Sequence, residues 1–287
     1  MPTPDPPLPD DWPALWQRLL HARAQAAAAP PPDGTLSAAS AALLAVYQPL
    51  LQARQAIAGS APHGHPGTWT VAQLGQSLDG CVATAAGDSY YVTGPQSLLH
   101  LHRLRALCDA VLVGAGTVAA DDPQLTTRRV PGPNPVRVVL DPAARLDGRA
   151  RLLRDAAAPT LWLCDARHAA AARERLQGGA AEVVAVPALL DAADPARGPD
   201  PARVLATLAA RGLRLVFVEG GGVTVSRFLA AGALDRLHLV IAPVVIGDGR
   251  RGLQGAGPAR MADCLRPPAQ RLALGDDMLW DLDLRPR

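Results

Sequence analysis

Residues 213–246 read LRLVFVEGGGVTVSRFLAAGALDRLHLVIAPVVI, and this stretch decides the fold. LRLVFVE (213–219) is a continuous apolar run of the kind that forms a strand buried on both faces. Glu219-Gly220-Gly221-Gly222 breaks it, a helix follows from Val223 to Ala231, and LHLVIAPVVI (237–246) is a second strand. Strand, glycine turn, helix and strand is the unit of a parallel sheet covered by helices. Ligands of such sheets bind at the carboxyl ends of the strands, so Glu219 and the glycines stand where chemistry is expected. Glycine lets backbone N–H groups approach a ligand closely, and a helix N-terminus favours an anion. A tight turn without a ligand is the alternative, but three consecutive glycines exceed what a turn needs.

The same alternation extends outward. WTVAQL (69–74), AVLVG (110–114), VRVVL (136–140), LWLC (161–164), EVVAV (182–186) and MLWDLDL (278–284) read as further strands. Helices are expected over Gln96–Cys108, Ala166–Gln177 and Pro201–Arg211. The class is therefore α/β, with a mostly parallel sheet flanked by helices over residues 68–287. Residues 1–67 differ: Trp12–Ala29 and Leu36–Gly59 read as two helices separated by Pro30–Gly34, and SAPHGHPG (60–67) reads as a linker. This part reads as a helical extension that packs on the main domain or on a partner subunit.

Bulk properties narrow the function. All 28 basic side chains are arginines. No lysine means no Schiff base, no P-loop lysine and no kinase-type lysine, so anions fall to arginine or backbone N–H groups. A net charge of +2 with 3% aromatic residues gives no nucleic-acid footprint. Cys81, Cys108, Cys164 and Cys264 are scattered, which fits reduced thiols and no zinc site. His63 and His65 fall in the linker, while His100 and His102 are read as solvated helix surface, so no metal is expected. The N-terminus lacks a signal-peptide pattern, and the uncharged Gly34–Ala53 segment, which carries Pro49 and two glutamines, reads as a packed helix and not a membrane span.

Three more motifs follow strand ends. Gly114-Ala-Gly-Thr-Val-Ala119, with Asp141 beyond, fits a dinucleotide fingerprint. Its context argues against a Rossmann unit, because Pro123, Pro131, Pro133 and Pro135 leave no room for the long crossover helix. Ser77-Leu-Asp-Gly80 is an ordinary turn signal. Arg105 and DDPQLTTR (121–128) gather arginines and aspartates near a strand end, although a surface loop would look the same.

Taken in order, LGQSLDG (74–80), GDSYYVTG (87–94), LHRLRALCDAVLVGAGTVAADDPQLTTR (101–128), VRVVLD (136–141), residues 218–250 and GDDMLW (275–280) resemble the riboflavin-pathway pyrimidine reductases, the RibD C-terminal domain family. The resemblance covers about residues 69–285. It implies a dihydrofolate-reductase-like fold and NADPH-dependent reduction of a ribosylaminopyrimidine 5′-phosphate to its ribitylamino form. It also implies a cytoplasmic homodimer with a small-molecule substrate, without membrane or nucleic-acid partners. By position it implies cofactor contacts at Gly75, Tyr91, Thr117, Asp121, Gly221, Gly222, Val223, Thr224, Val225, Ser226 and Arg227, and substrate contacts at Ser89, Arg105, Leu125, Arg128 and Glu219. Glu219 and Asp121 are the expected catalytic groups. Arg105 and Arg128 can hold a sugar phosphate bidentately. Two departures stand out. Nothing matches the zinc deaminase signature that precedes this domain in the bifunctional members. Gln73 also occupies a position where many members carry a substrate-facing lysine, which leaves open a paralogous reductase for another pterin- or pyrimidine-like compound, or a non-catalytic binding module.

Overall fold

The structure, a computed structural model, describes residues 9–28, 36–59, 67–90, 92–194 and 197–285. Two helices, α1 (Trp12–Ala24) and α2 (Ala38–Gly59), precede a domain that begins with β1 (Trp69–Ser77) and β2 (Cys81–Thr84). Then come α3 (Pro95–Leu107), β3 (Ala110–Gly114), α4 (Ala115–Asp121), β4 (Val136–Leu140), α5 (Arg151–Arg154), β5 (Thr160–Asp165), α6 (Ala169–Leu176) and β6 (Glu182–Val186). The chain ends with α7 (Pro201–Ala209), β7 (Leu215–Glu219), α8 (Gly222–Ala230), β8 (Arg236–Ala242), β9 (Gly249–Arg251), β10 (Ala269–Leu274) and β11 (Asp277–Asp283).

Among the described residues, nine strands form one sheet in the order β10-β11-β8-β1-β7-β3-β4-β5-β6, and β2 pairs with β9 separately. The seven strands from β8 to β6 run parallel, while β11 and β10 are antiparallel additions at one edge. The parallel strands therefore present their carboxyl ends along a single rim, and the glycine turn after β7 lies near its middle.

Each face of the sheet buries its own core. Val71, Val111, Val113, Val139, Trp162 and Phe217 pack with α1, α2 and α3 on one side. Ala72, Leu112, Val138, Leu163 and Val218 pack with α7 and α8 on the other. Burial on both faces explains why these strands read as continuous apolar runs. The N-terminal helices belong to the first core. Leu15, Leu19, Leu44, Leu50 and Leu51 are fully buried there, each contributing about 1.5–3 kcal/mol of transfer free energy. Trp12 and Trp16 stack, and Tyr47 packs tilted on one and edge-on to the other, with centroids 5.9–6.1 Å apart. Arg54 closes the C-terminal end of α3, donating to the Leu107 carbonyl at 3.1 Å and to Asp109 at 2.5 Å.

Several expectations are corrected. β8 stops at Ala242, short of Ile246, because Pro243 has no N–H to give the ladder. β1 continues to Ser77, three residues beyond the apolar run. Helix α1 ends at Ala24 and not at Ala29, a residue outside the described set. A helix does form after Gly114: α4 is seven residues long and ends in a left-handed Asp122 just before Pro123. The prolines shorten the crossover helix and do not abolish it. His100 and His102 are not solvated surface, since α3 is sandwiched between sheet and extension and buries both, at 0% and 3% exposure. The Pro30–Gly34 break, most of the linker with His63 and His65, and Tyr91 lie outside the described residues. No described helix is long and apolar enough to cross a membrane, and no described group of side chains could hold a metal ion.

Candidate active site

Glu219 is the last residue of β7, and its side chain turns to the α3 face of the sheet, where Arg105 meets it. Arg105 donates from Nε to Glu219 Oε2 at 2.7 Å and from Nη2 to Oε1 at 2.5 Å, a planar two-point pair with both residues buried. Its remaining Nη1 donates to the Thr126 carbonyl at 2.9 Å. The guanidinium is therefore committed to Glu219 and the 121–128 loop, which differs from the expectation that it grips a sugar phosphate directly. Arg128 is the more open of the two arginines. It is exposed, donates through Nη1 to Thr126 Oγ1 at 2.9 Å, and has its backbone N–H bonded to His102 Nδ1 at 3.0 Å. Thr126 thus ties the two arginines together, a role its residue type did not announce. Leu125, fully buried beside it, sits at φ +55°, an uncommon conformation for a residue with a side chain.

Gln73 on β1 is the register partner of Glu219 on β7 and of His238 on β8. It is 5% exposed, and its Oε1 has no hydrogen-bond partner among the described residues. Two residues along, Gly75 faces Thr93, whose Cγ2 would lie 2.6 Å from any Cβ at that position. Gln73, Glu219, Arg105 and Arg128 are thus linked into one cluster by register and hydrogen bonds.

The glycine turn forms the second half. Gly220 and Gly221 have φ +58° and +68°, and α8 starts at Gly222. Thr117 of α4 reaches this turn, with Oγ1 2.7 Å from where a Gly221 Cβ would be, and Thr224 Oγ1 lies equally close to Gly114. Ser226 accepts from the Gln254 N–H at 2.8 Å, which leaves its O–H as a donor. From the first turn of α8 a cavity of about 1160 Å³ extends toward the ends of β5 and β6, walled by Val223, Ser226, Arg227, Arg203, Arg167 and Gln254. Arg167 is paired with Asp165 and Arg203 approaches Asp200 at 3.6 Å. Arg227 pairs with no described carboxylate, and burial lowers its pKa, so an anion entering the cavity would relieve an uncompensated cation.

No hydrogen bond among the described residues ties Ser89 or Asp121 to Glu219, Arg105 or Arg128. Ser89 is exposed in the loop after β2. Asp121 ends α4, where burial raises its carboxyl above the usual range against the opposing pull of Arg250 on β9.

His102 carries a pH consequence. Burial first, then the charges of Arg105, Arg128 and Arg129, lower its pKa to about 3. The neutral ring is the form that accepts the Arg128 N–H. An unfolded histidine titrates near 6.5, so the unfolded chain gains the proton first and stability is lost as pH falls below that value. Between pH 7.5 and 5 the loss from His102 amounts to about 2 kcal/mol. His102→Asn, which keeps an acceptor, should remove that part of the pH slope in urea unfolding; an unchanged slope would contradict the assignment.

Residues 68–271 match the model of the RibD C-terminal domain. The chain belongs to the RibD C-terminal domain family. It is 35% identical over 226 residues to the 2,5-diamino-6-ribosylamino-4(3H)-pyrimidinone 5′-phosphate reductase of Methanothermobacter thermautotrophicus, covering 76% of this chain and 98% of that one. With the riboflavin biosynthesis protein RibD of Bacillus amyloliquefaciens it shares 37% identity over 172 residues, which is 60% of this chain and 44% of the relative. It thus spans nearly all of the archaeal reductase but under half of that bacterial RibD. Among solved structures, the Thermotoga maritima deaminase/5-amino-6-(5-phosphoribosylamino)uracil reductase aligns with TM-score 0.59 at 25% identity, covering 75% of this chain and 56% of that one. Acinetobacter baumannii RibD aligns with TM-score 0.64 at 23% identity, covering 84% and 62%, and shares the fold. The family match begins where the helical extension ends.

Proposed function

We propose that the chain is an NADPH-dependent reductase that converts a ribosylaminopyrimidine 5′-phosphate to its ribitylamino form, acting in the cytoplasm as a homodimer. One observation carries the reading: a glycine turn shaped for a dinucleotide follows directly on Glu219, whose carboxylate is held by Arg105 within reach of an exposed arginine. Two features support the cofactor. A side chain at Gly221 would crowd the Thr117 hydroxyl beside the turn, and Arg227 faces the adjoining cavity without a carboxylate partner among the described residues.

NADPH, when bound, supplies a hydride for C1′ of the sugar. Gly75, Tyr91, Thr117, Asp121 and the run Gly221–Arg227 are assigned to holding it, with Arg227 toward the phosphate carried on its adenosine ribose. On the substrate side, Arg128 and Ser89 take the 5′-phosphate. Glu219, oriented by Arg105, accepts sugar hydroxyls on its free lone pairs. Gln73 offers its unpartnered amide oxygen to an N–H of the pyrimidine, an acceptor in place of a cation. Leu125 closes the pocket against water, and Asp121 is assigned to passing a proton to the sugar ring oxygen.

The test is loss of NADPH absorbance on mixing with the phosphoribosylaminopyrimidine, alongside NADPH and NADH affinities for wild type and Arg227→Ala. Wild type should turn over, and the variant should lose about tenfold to a hundredfold in NADPH affinity with NADH unchanged. No turnover together with no NADPH binding at millimolar concentration would overturn the reading.

A further inference from the structure

The N-terminal helices touch the domain at several points, and those nearest the expected substrate residues fall on α3 and the loop that follows α4. On α3, His100, Arg103 and Leu107 follow helical spacing and share one face, while His102 and Arg105 lie on the neighbouring face. The first face meets the extension. The Tyr47 hydroxyl of α2 lies 2.6 Å from His100 Nδ1, and the Arg103 guanidinium sits 4.6 Å over the Trp12 ring of α1. The second face meets the site, through Arg105 on Glu219 and His102 on the Arg128 N–H. Trp16 of α1 reaches further, donating from Nε1 to the Pro131 carbonyl at 2.8 Å, inside the loop that carries Arg128.

The Tyr47 contact ends a row of buried polar side chains. Asp281, paired two-point with Arg236, lies 3.3 Å from His238 Nε2, a nitrogen without a hydrogen-bond partner among the described residues. His238 Nδ1 lies 3.0 Å from His100 Nε2. A His100 tautomer that donates from Nε2 keeps a lone pair on Nδ1, to which the Tyr47 hydroxyl donates. His238 stands beside Gln73 in the sheet register.

We infer that the N-terminal extension is a working part of the substrate site: Tyr47 and Trp16 are positioning residues that set α3 and the Arg128 loop. The substrate assignment rests on the function proposed above; the positioning role does not. Substrate affinity would then depend on residues more than 80 positions upstream of Arg128, and cofactor affinity, set by the turn after β7, would not.

The experiment uses the full chain with Tyr47→Phe, which removes only the hydroxyl, and, separately, Trp16→Phe, which keeps an aromatic ring but removes the N–H together with part of the indole. Hydrogen exchange is read at the Arg128 amide and its loop, with Gly221–Val225 as internal reference. KM for the phosphoribosylaminopyrimidine and the NADPH dissociation constant are measured in parallel. Faster exchange in the Arg128 loop, none at the glycine turn, and a KM raised roughly fivefold or more at constant NADPH affinity are expected. Unchanged exchange in the Arg128 loop of a folded Trp16→Phe protein overturns the inference, as does a KM shift matched by an equal loss of NADPH affinity. Should Tyr47→Phe fail to fold, Trp16→Phe decides alone. Should the wild type ignore the pyrimidine, the function proposal fails and the exchange data still judge the positioning role.

Discussion

Arg105→Met should cost the protein about 3–5 kcal/mol of unfolding free energy and reduce turnover at least about a hundredfold. The methionine fills a similar volume in α3 but leaves the Glu219 carboxylate buried with no countercharge, and burying an unpaired carboxylate is among the largest single penalties a fold can incur. Activity falls for a separate reason. Without the two-point pair, nothing orients the carboxylate that Glu219 presents beside the glycine turn, and the Thr126 carbonyl loses the donor that anchors the Arg128 loop. The two effects separate in the double variant Arg105→Met/Glu219→Leu. Replacing both partners removes the stranded charge, so most of the stability should return while turnover stays lost. Urea unfolding and steady-state kinetics on the single and double variants decide it. A stable, active Arg105→Met protein would show that Glu219 does not depend on the pair.

The same pair shows how far sequence reading reaches. Glu219 was legible because β7 is buried on both faces and ends in glycine, so its position at the rim follows from pattern alone. Arg105 was legible as part of a loose arginine–aspartate motif, and as a substrate contact only through family resemblance; its contact with Glu219 lies 114 residues away in sequence, a separation no periodicity encodes. The runs AVLVG, VRVVL and EVVAV became strands as read, and LRLVFVE became one from Leu215, with the sheet and its flanking helices. β10, AQRLAL, did not register, because an edge strand mostly open to water carries arginine and glutamine where a central strand carries valine. β2 and β9 are too short and too irregular, with a register shift between Cys81 and Ala83, to leave a period. His100 and His102 were misread for an instructive reason. Polarity was taken for exposure on α3, yet that helix is covered on both sides, and its histidines serve as buried connectors between neighbouring elements. The extension's role was invisible because contact between Trp16 and Pro131 depends on how two separately readable pieces dock.

The three glycines of the turn give a graded test of whether it is built for a ligand. Gly220 has φ +58° and nothing within 4 Å of its absent Cβ. Alanine there meets only backbone strain, about 1–2 kcal/mol, and NADPH affinity should stay within about threefold. Gly221 has φ +68° and the Thr117 hydroxyl 2.7 Å away, so alanine adds displacement of a side chain assigned to the cofactor; a loss of roughly tenfold is expected. Gly222 has ordinary φ but the hardest surroundings. A Cβ would stand 2.1 Å from the Gly252 carbonyl oxygen and 2.8 Å from that of Arg251, both backbone. No rotamer relieves that clash, so either α8 or the segment after β9 must shift, tilting the helix N-terminus and with it the cavity wall at Val223 and Arg227. Gly222→Ala should therefore lose about a hundredfold or more in NADPH affinity, with about 1–3 kcal/mol of stability from overpacking. Calorimetric titration of the three variants checks the order. A turn that merely joins β7 to α8 predicts a different ranking, in which stability falls at all three positions and NADPH affinity at none.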